Sequence, residues 1–197
     1  RMGILFSDHA VSNRTQALCY LLVSLDKAGK DIPQNLIDQL INQGKYLSSI
    51  DNYTNYNHGL MMDLALLGLV NVLKGKKYSF PSFFQTNLLE RLSNSLERDV
   101  TEDGVHIENS PGYHFWIMNF YKKIHKPLLG LDKELSEKCE KILNKSLEYA
   151  KYITRSDGSV PAMGDTHASL KYIPSKTLSS KFFSKSNIVI FRDLEDK

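Results

Sequence analysis

Apolar residues recur every three or four positions through six successive segments of the chain, a spacing typical of amphipathic α-helices. The predicted helices lie at about residues 10–27, 33–47, 58–75, 82–98, 111–124 and 132–154. Because the connections between them are mostly short, we expect consecutive helices to pack as antiparallel neighbours in three helical hairpins. The fold class is therefore predicted to be mainly α.

The bounds of the first predicted helix follow from its apolar face and from the residues at its two ends. Leu18, Leu21 and Leu22 fall on its apolar face, Asp8 can cap its N-terminus, and Gly29 follows its end.

Beyond the last helix the sequence pattern changes. A turn at residues 155–158 precedes a loop-like stretch at 159–181, and residues 186–192 (SNIVIFR) form a short β-branched run typical of a strand. One strand is not stable alone. Either a β domain begins here, which is the interpretation that we favour, or the strand pairs with another part of the chain.

Composition excludes several classes of protein. The chain has 25 Lys+Arg against 22 Asp+Glu, a net charge of +3, which is too small an excess to indicate nucleic-acid binding. No apolar run is long enough to span a bilayer, and residues 1–7 lack the pattern of a signal peptide. Cys19 and Cys139 both lie on apolar helical stripes, so we interpret them as core residues rather than metal ligands.

The segment just before the third helix is rich in groups that can bind a ligand. Tyr53, Tyr56, Asn57, His58 and Gly59 stand together there. A structural role as helix cap would explain Asn57 alone. An amide and an imidazole at a helix N-terminus also lie in a region of positive dipole, which suits a carboxylate.

A second segment, residues 103–114, is dense in proton-transfer groups. His106, Glu108, Tyr113 and His114 flank the helix start at Ser110-Pro111.

A third segment, residues 157–167, can be read simply as a turn and a loop in which Asp165 acts as a cap. Phosphate-binding glycine loops, Cys/His metal patterns and G-x-S-x-G elbows do not occur in the sequence.

Taken in order, these segments resemble the heparinase II/III-like polysaccharide lyases. Residues 57–67 (NHGLMMDLALL) resemble the family's "NHG…D-x-ALL" signature, and residues 108–114 (ENSPGYH) resemble its "E-x-S-P-x-YH" segment. Residues 157–165 (DGSVPAMGD) are similar to "DG-x-x-P-x-x-GD", and residues 8–14 (DHAVSNR) to "DHA-x-x-NR". Residues 186–192 look like the first strand of its C-terminal β domain.

The resemblance implies a fold and a location. The family fold is an (α/α) toroid followed by a β-sandwich domain, so residues 1–170 would belong to an incomplete toroid and residues 171–197 to a linker and the start of the sandwich. The rest of that β-sandwich domain, which usually supplies a further base, would then be a missing partner of this chain. The resemblance favours a periplasmic or secreted protein.

It also implies a chemistry: β-elimination on an acidic, uronic-acid-containing polysaccharide, without metal or cofactor. By resemblance Asn57, helped by His58, neutralises the substrate carboxylate, and Tyr113 protonates the departing glycosidic oxygen. We list further candidates for contact with substrate as Tyr53, Tyr56, His114, Glu108, Asp165 and Arg14.

Three other functions fit the same sequence. A uronyl C5-epimerase shares the first proton abstraction, a non-catalytic module could bind sugar through Tyr53, Tyr56 and Trp116, and a helical scaffold would bind nothing. The polymer itself stays open between heparan, alginate, chondroitin-like and capsular polysaccharides.

Overall fold

Six α-helices and a two-stranded β-hairpin make up the residues described by the computed structural model, 7–174 and 179–192. The elements are α1 (Asp8–Lys27), α2 (Gln34–Ser48), α3 (Asn57–Gly75), α4 (Phe83–Arg98), α5 (Pro111–Leu128), α6 (Lys133–Ile153), β1 (Lys181–Phe183) and β2 (Ile188–Ile190). A short 3₁₀-helix, Ile50–Asn52, follows α2. All six predicted helices and the mainly α class are confirmed.

Both α1 and α3 begin earlier than the sequence indicated, α1 by about two residues and α3 by one. Ser7, not Asp8, caps α1, since its hydroxyl oxygen accepts a hydrogen bond from the Ala10 amide at 3.3 Å. Likewise α3 begins at Asn57, whose side-chain oxygen accepts from the amide of His58 at 3.0 Å. Both predicted caps are therefore wrong, and Asp8 and Asn57 are placed inside the first turns.

The chain divides into two compact units. The first comprises Arg1–Ser95 and Lys126–Ser136, and the second comprises Leu96–His125 and Glu137–Lys197. In the first unit α1 and α3 run parallel, because Asp8 bonds His58 where both helices begin and Asp26 pairs with Lys76 where both end.

Within the same unit α2 packs against α4. A side chain on Gly44 would lie 2.2 Å from the Phe84 ring, so the two helices touch there. One helical turn further along both helices, the Asn87 amide donates to the carbonyl of Ser48 at 3.0 Å. Because the contacts follow the same order along both helices, α2 and α4 also run parallel.

A buried ion pair joins α3 to α4. Asp63 (0% exposed) and Arg91 (8%) approach to 2.7 Å, and the Tyr53 hydroxyl donates to the other oxygen of Asp63 at 3.0 Å. Arg91 also donates to the carbonyl of Leu47 at 2.9 Å and covers the Tyr53 ring, 4.3 Å from its centroid. One guanidinium thereby fixes the end of α2 and the segment that leads into α3.

In the second unit the central parts of α5 and α6 pack antiparallel. The thiol of Cys139 points to the carbonyl of Tyr121 at 3.8 Å, and His114 bonds the carbonyl of Ser146 at 3.0 Å. Both cysteines of the chain are free and buried, as predicted, and burial raises the pKa of Cys19 and of Cys139 to about 12.

The predicted strand at residues 186–192 contains β2, and its antiparallel partner is β1, with Phe182 opposite Val189. The prediction of loop at residues 159–181 is therefore wrong at its end, where β1 begins. Asp103 accepts hydrogen bonds from the Lys185 and Ser186 amides and so fixes the hairpin turn to the predicted turn at residues 101–104.

One apolar residue assigned to the core is not in it. Leu21 is 45% exposed. The buried face of α1 is formed at helical spacing by residues such as Thr15, Cys19 and Leu22, and Leu21 lies next to that face rather than on it. None of the helices in residues 7–174 and 179–192 combines the length and the apolar character needed to cross a membrane.

We expect Arg91→Ala to lower the free energy of unfolding by about 3–5 kcal/mol, because Asp63 would keep a buried charge without its partner. Lys76→Ala, which removes the exposed pair with Asp26 in the same unit, should cost under about 1 kcal/mol. Urea denaturation measures both. Equal losses in the two variants would show that the buried pair does not hold this unit together.

Candidate active-site residues

Residues 53–58 present the first group of candidate side chains at the N-terminus of α3. Tyr56, which directly precedes the helix, has φ 66° and ψ −148° and is 47% exposed. A bulky residue in that region of backbone space costs about 1–3 kcal/mol, and such strain is typical of functional sites. It turns the chain so that half-buried Asn57 and exposed His58 fall in the first helical turn.

Close packing beneath this segment explains the glycine that follows it. A Cβ on Gly59 would lie 2.1 Å from the carbonyl oxygen of Thr54 and 2.6 Å from the Tyr53 ring. Gly59 therefore lets the segment fold back on the first turn of α3, while the Tyr53 hydroxyl is anchored on Asp63.

His58 has a partner that sequence reasoning missed. Its Nδ1 lies 2.6 Å from the Asp8 carboxylate, which belongs to the first turn of α1. Partial burial opposes ionisation of Asp8, but hydrogen bonds from His58 and from the His9 amide outweigh it and lower the pKa of that carboxyl. In the sequence, Asp8 was indicated by the resemblance of residues 8–14 to a family motif. That resemblance does not identify His58 as the partner of Asp8.

Asp8, His9 and His58 also form the one group of three potential metal ligands within the described part of the chain. Their ligand atoms all lie within 4.8 Å of one another, and the rings of His9 and His58 meet edge to face. The group sits at two helix N-termini, where the helix dipoles favour anions over cations. The carboxylate is engaged with His58, so the geometry does not itself indicate a metal site.

The second group of candidates belongs to the other unit and surrounds the start of α5. Tyr113 is half-buried in the first turn, and its ring stacks on His106 with centroids 6.2 Å apart. Burial lowers the pKa of His106 and outweighs the opposing Asp99 carboxylate. Nδ1 of His106 is buried and makes no hydrogen bond within the described residues. A neutral imidazole therefore supports the phenol from one face.

Residues 157–167 support the same helix start. The Thr166 hydroxyl oxygen accepts a hydrogen bond from the Gly112 amide at 2.9 Å and lies 3.1 Å from the Ser110 hydroxyl. Gly164 lies against Ser110, close enough that a Cβ would be 3.2 Å away. Thr166, which sequence reasoning did not single out, is thus a structural support for the turn that holds Tyr113.

The remaining candidates differ in their surroundings. His114 is 2% exposed, and its Nε2 bonds the carbonyl of Ser146, so its burial argues against contact with a sugar. Glu108 and Asp165 are exposed. Arg14 donates to the Gln43 side chain at 3.2 Å, between α1 and α2.

The structure therefore groups Tyr53, Tyr56, Asn57 and His58 before and at the start of α3, with Asp8 added. In the other unit it places Tyr113 and His114 in the first turn of α5. An open depression of about 510 Å³ beside α4, lined by Phe80, Ser82, Gln85, Thr86 and Leu89, includes none of these candidates.

Comparisons with known proteins identify related folds. The family model described as "Heparinase II/III N-terminus" matches residues 8–190. A solved structure entitled "Crystal Structure of Heparinase III" is similar with a TM-score of 0.55 at 18% sequence identity, and the match covers 78% of this chain and 25% of that one. No curated protein sequence matches the chain.

We expect Gly59→Ala to lower the free energy of unfolding by at least about 1–3 kcal/mol, because the added methyl group overlaps a backbone carbonyl. Gly68→Ala in the same helix meets no atom within 4 Å and should stabilise the protein by up to about 1 kcal/mol. Chemical denaturation compares the two. A harmless Gly59→Ala would mean that residues 53–58 are not packed as described.

We expect buried His114 to make stability fall in mild acid. Burial lowers the pKa of its imidazole from 6.5 to about 4, so the unfolded chain binds the proton more readily between those values. Stability should therefore be lost as pH falls from 6.5 towards 4, by about 3 kcal/mol at most.

The measurement is the free energy of unfolding across that pH range. His114→Phe should flatten the curve relative to the wild type, whereas His167→Phe, at an exposed histidine, should leave its slope unchanged. Parallel curves for wild type and His114→Phe would contradict the assignment.

Proposed function

The chain belongs to the heparinase II/III family, and we propose that it contributes to cleavage of a uronic-acid-containing polysaccharide by β-elimination. Family membership and the heparinase III fold match support a polysaccharide-lyase scaffold. Because the match covers only 25% of the heparinase III chain, the activity of the whole protein is part of the proposal.

In the proposed reaction a base that we assign to the β-sandwich domain takes the proton on C5 of a uronate, next to its carboxylate. The bond between C4 and the glycosidic oxygen breaks, a C4–C5 double bond forms, and the departing oxygen takes a proton. Negative charge builds on a group that is already charged, so hydrogen-bond donors aimed at that carboxylate should supply a large part of the catalysis.

The observation that supports this chemistry most is the placement of Asn57 and His58. Both stand at the positive end of α3, and the strained backbone of Tyr56 delivers them there. The side-chain oxygen of Asn57 is bonded to the His58 amide, and its NH₂ group would donate to the substrate carboxylate. We assign Asn57 to the substrate carboxylate, with His58 assisting.

Tyr113 is assigned the transfer of a proton to the departing oxygen. Its ring is held by the His106 stack, and its helix start is fixed by Thr166, so the phenol is preorganised without being sealed in the core. A positioned proton donor contributes roughly 10²–10⁴ in rate.

The other candidates receive unequal roles. Exposed Tyr56, Glu108 and Asp165 are proposed to contact the polysaccharide. Arg14 is proposed to favour the binding of an acidic ligand near α1, through its positive charge. Tyr53 is committed to Asp63 and Arg91, so we assign it to holding the segment, and we leave buried His114 out of the substrate contacts.

We also propose that the helices form part of an (α/α) toroid, and that residues 171–197 lead into a β-sandwich domain. Such a toroid requires alternate helices to run parallel, which α1 with α3 and α2 with α4 do. The β1–β2 hairpin is consistent with the first strands of a further sheet.

The test is to incubate the full-length gene product with a panel of uronate polymers and follow the ultraviolet absorbance of the unsaturated product. We expect Asn57→Ala and Tyr113→Phe each to lower kcat about 10²–10⁴-fold. Tyr20→Phe, at an exposed tyrosine of α1, should match the wild type.

The alternatives give different results in this assay. An epimerase would exchange the C5 proton with solvent and make no unsaturated product, and a binding module would retain polymer without either reaction. Full activity in Tyr113→Phe would remove the assigned role of the phenol.

A further inference from the structure

Within the described part of the chain, a polar link ties α1 to α3 near each end of the two helices, and the links differ in their partners. Asp26 pairs with Lys76 at the C-terminal ends of the helices, where neither side chain is a candidate for chemistry. Asp8 bonds His58 at the N-terminal ends, where the imidazole belongs to the proposed reacting groups. The link between Asp8 and His58 therefore affects which atom of the imidazole can meet a ligand.

We propose that Asp8 is a positioning residue that fixes the orientation and the tautomer of His58, so that Nε2 is the ring nitrogen facing the substrate. The proposal rests on the proposed function for its catalytic meaning, although the geometry that it describes can be measured without any activity.

The argument starts from the contact itself. Nδ1 of His58 lies 2.6 Å from an oxygen of the Asp8 carboxylate. Because a carboxylate can only accept a hydrogen bond, Nδ1 must be the nitrogen that has the hydrogen. When the ring is charged, Nε2–H can donate to the substrate carboxylate, whereas in the neutral ring Nε2 has the lone pair and cannot donate. In either state Nδ1 is engaged by Asp8, so Nε2 is the ring nitrogen assigned to the substrate.

Asp8 is itself held firmly enough to impose this choice. Its other oxygen accepts from the His9 amide at 2.7 Å, and Ser7 caps the helix turn in which it lies. The side chain of Asp8 is 21% exposed, against 47% for His58, so the carboxylate is the better fixed of the two partners. A carboxylate that orients a histidine in this way acts through the ring and need not touch the substrate.

His9 provides a contact of another kind on the same ring. It meets His58 edge to face, with ring centroids 4.8 Å apart. That packing restricts the ring but does not determine which nitrogen has the hydrogen, so His9 and Asp8 can be separated by substitution.

The first experiment is ¹⁵N NMR of histidine side chains in the full-length protein, with His58 assigned from a His58→Asn variant and spectra recorded where the ring is neutral. We expect the Nδ1–H tautomer in the wild type, in His9→Ala and in Asp26→Ala, and a shift toward Nε2–H in Asp8→Ala. An unchanged His58 tautomer in Asp8→Ala would overturn the proposal.

The second experiment uses the uronate polymer that the full-length protein cleaves. Asp8→Ala should lower kcat about 10–100-fold with KM changed less than about threefold, and Asp8→Glu, which keeps a carboxylate, should recover most of the loss. Asp26→Ala breaks the other α1–α3 link and controls for a purely structural effect. Equal kcat values for Asp8→Ala and Asp26→Ala would also overturn the proposal.

The two experiments separate the possible failures. Should the wild type cleave no uronate polymer, the proposed function fails, while the NMR result still decides whether Asp8 sets the tautomer of His58. Thermal unfolding of Asp8→Ala shows whether the fold survives, and Asp8→Glu keeps the kinetic comparison informative if it does not.

Discussion

The buried ion pair of Asp63 and Arg91 is the interaction on which the first unit depends. Two charges removed from water need further hydrogen bonds, and here the Tyr53 hydroxyl donates to Asp63 and Arg91 donates to the carbonyl of Leu47. One guanidinium thereby links α4, α3, the end of α2 and the segment before α3. Hydrocarbon packing alone would not dictate a single path for that segment, whereas a directional network does.

This network has a consequence for chemistry. With Tyr53 anchored and Gly59 allowing the backbone to fold closely over it, the chain is forced through the positive φ of Tyr56 before α3 can begin. The positive φ of Tyr56 lies between anchored Tyr53 and the start of α3, where Asn57 and His58 stand. The buried polar residues and the exposed candidate residues are thus parts of one arrangement, in which the former hold the latter in place.

The sequence predicted the helices well and the tertiary partners poorly, for a physical reason. Helices arise from local periodicity, so all six could be located, whereas helix starts depend on one hydroxyl or amide and were shifted at Ser7 and Asn57. The contact of Asp8 with His58 joins residues 50 positions apart, and the support of Gly112 by Thr166 joins residues 54 apart. No periodicity encodes such pairs. The partner of β2 was missed because three residues, Lys181–Phe183, are too few to show alternation.

Tyr113 and His114 show why a dense motif should not be read as a set of equivalent functional groups. Successive residues on a helix point about 100° apart, so one side chain can face the surface while the next enters the core. His114 reaches across to the carbonyl of Ser146 and joins α5 to α6, whereas Tyr113 stacks on His106 and stays half-exposed. Tyr53 and Tyr56 differ in the same way, because Tyr53 bonds buried Asp63 whereas Tyr56 lies at the surface. A motif that positions a reactive side chain must also contain the residues that hold it, and the structure separates the two by burial and by partner.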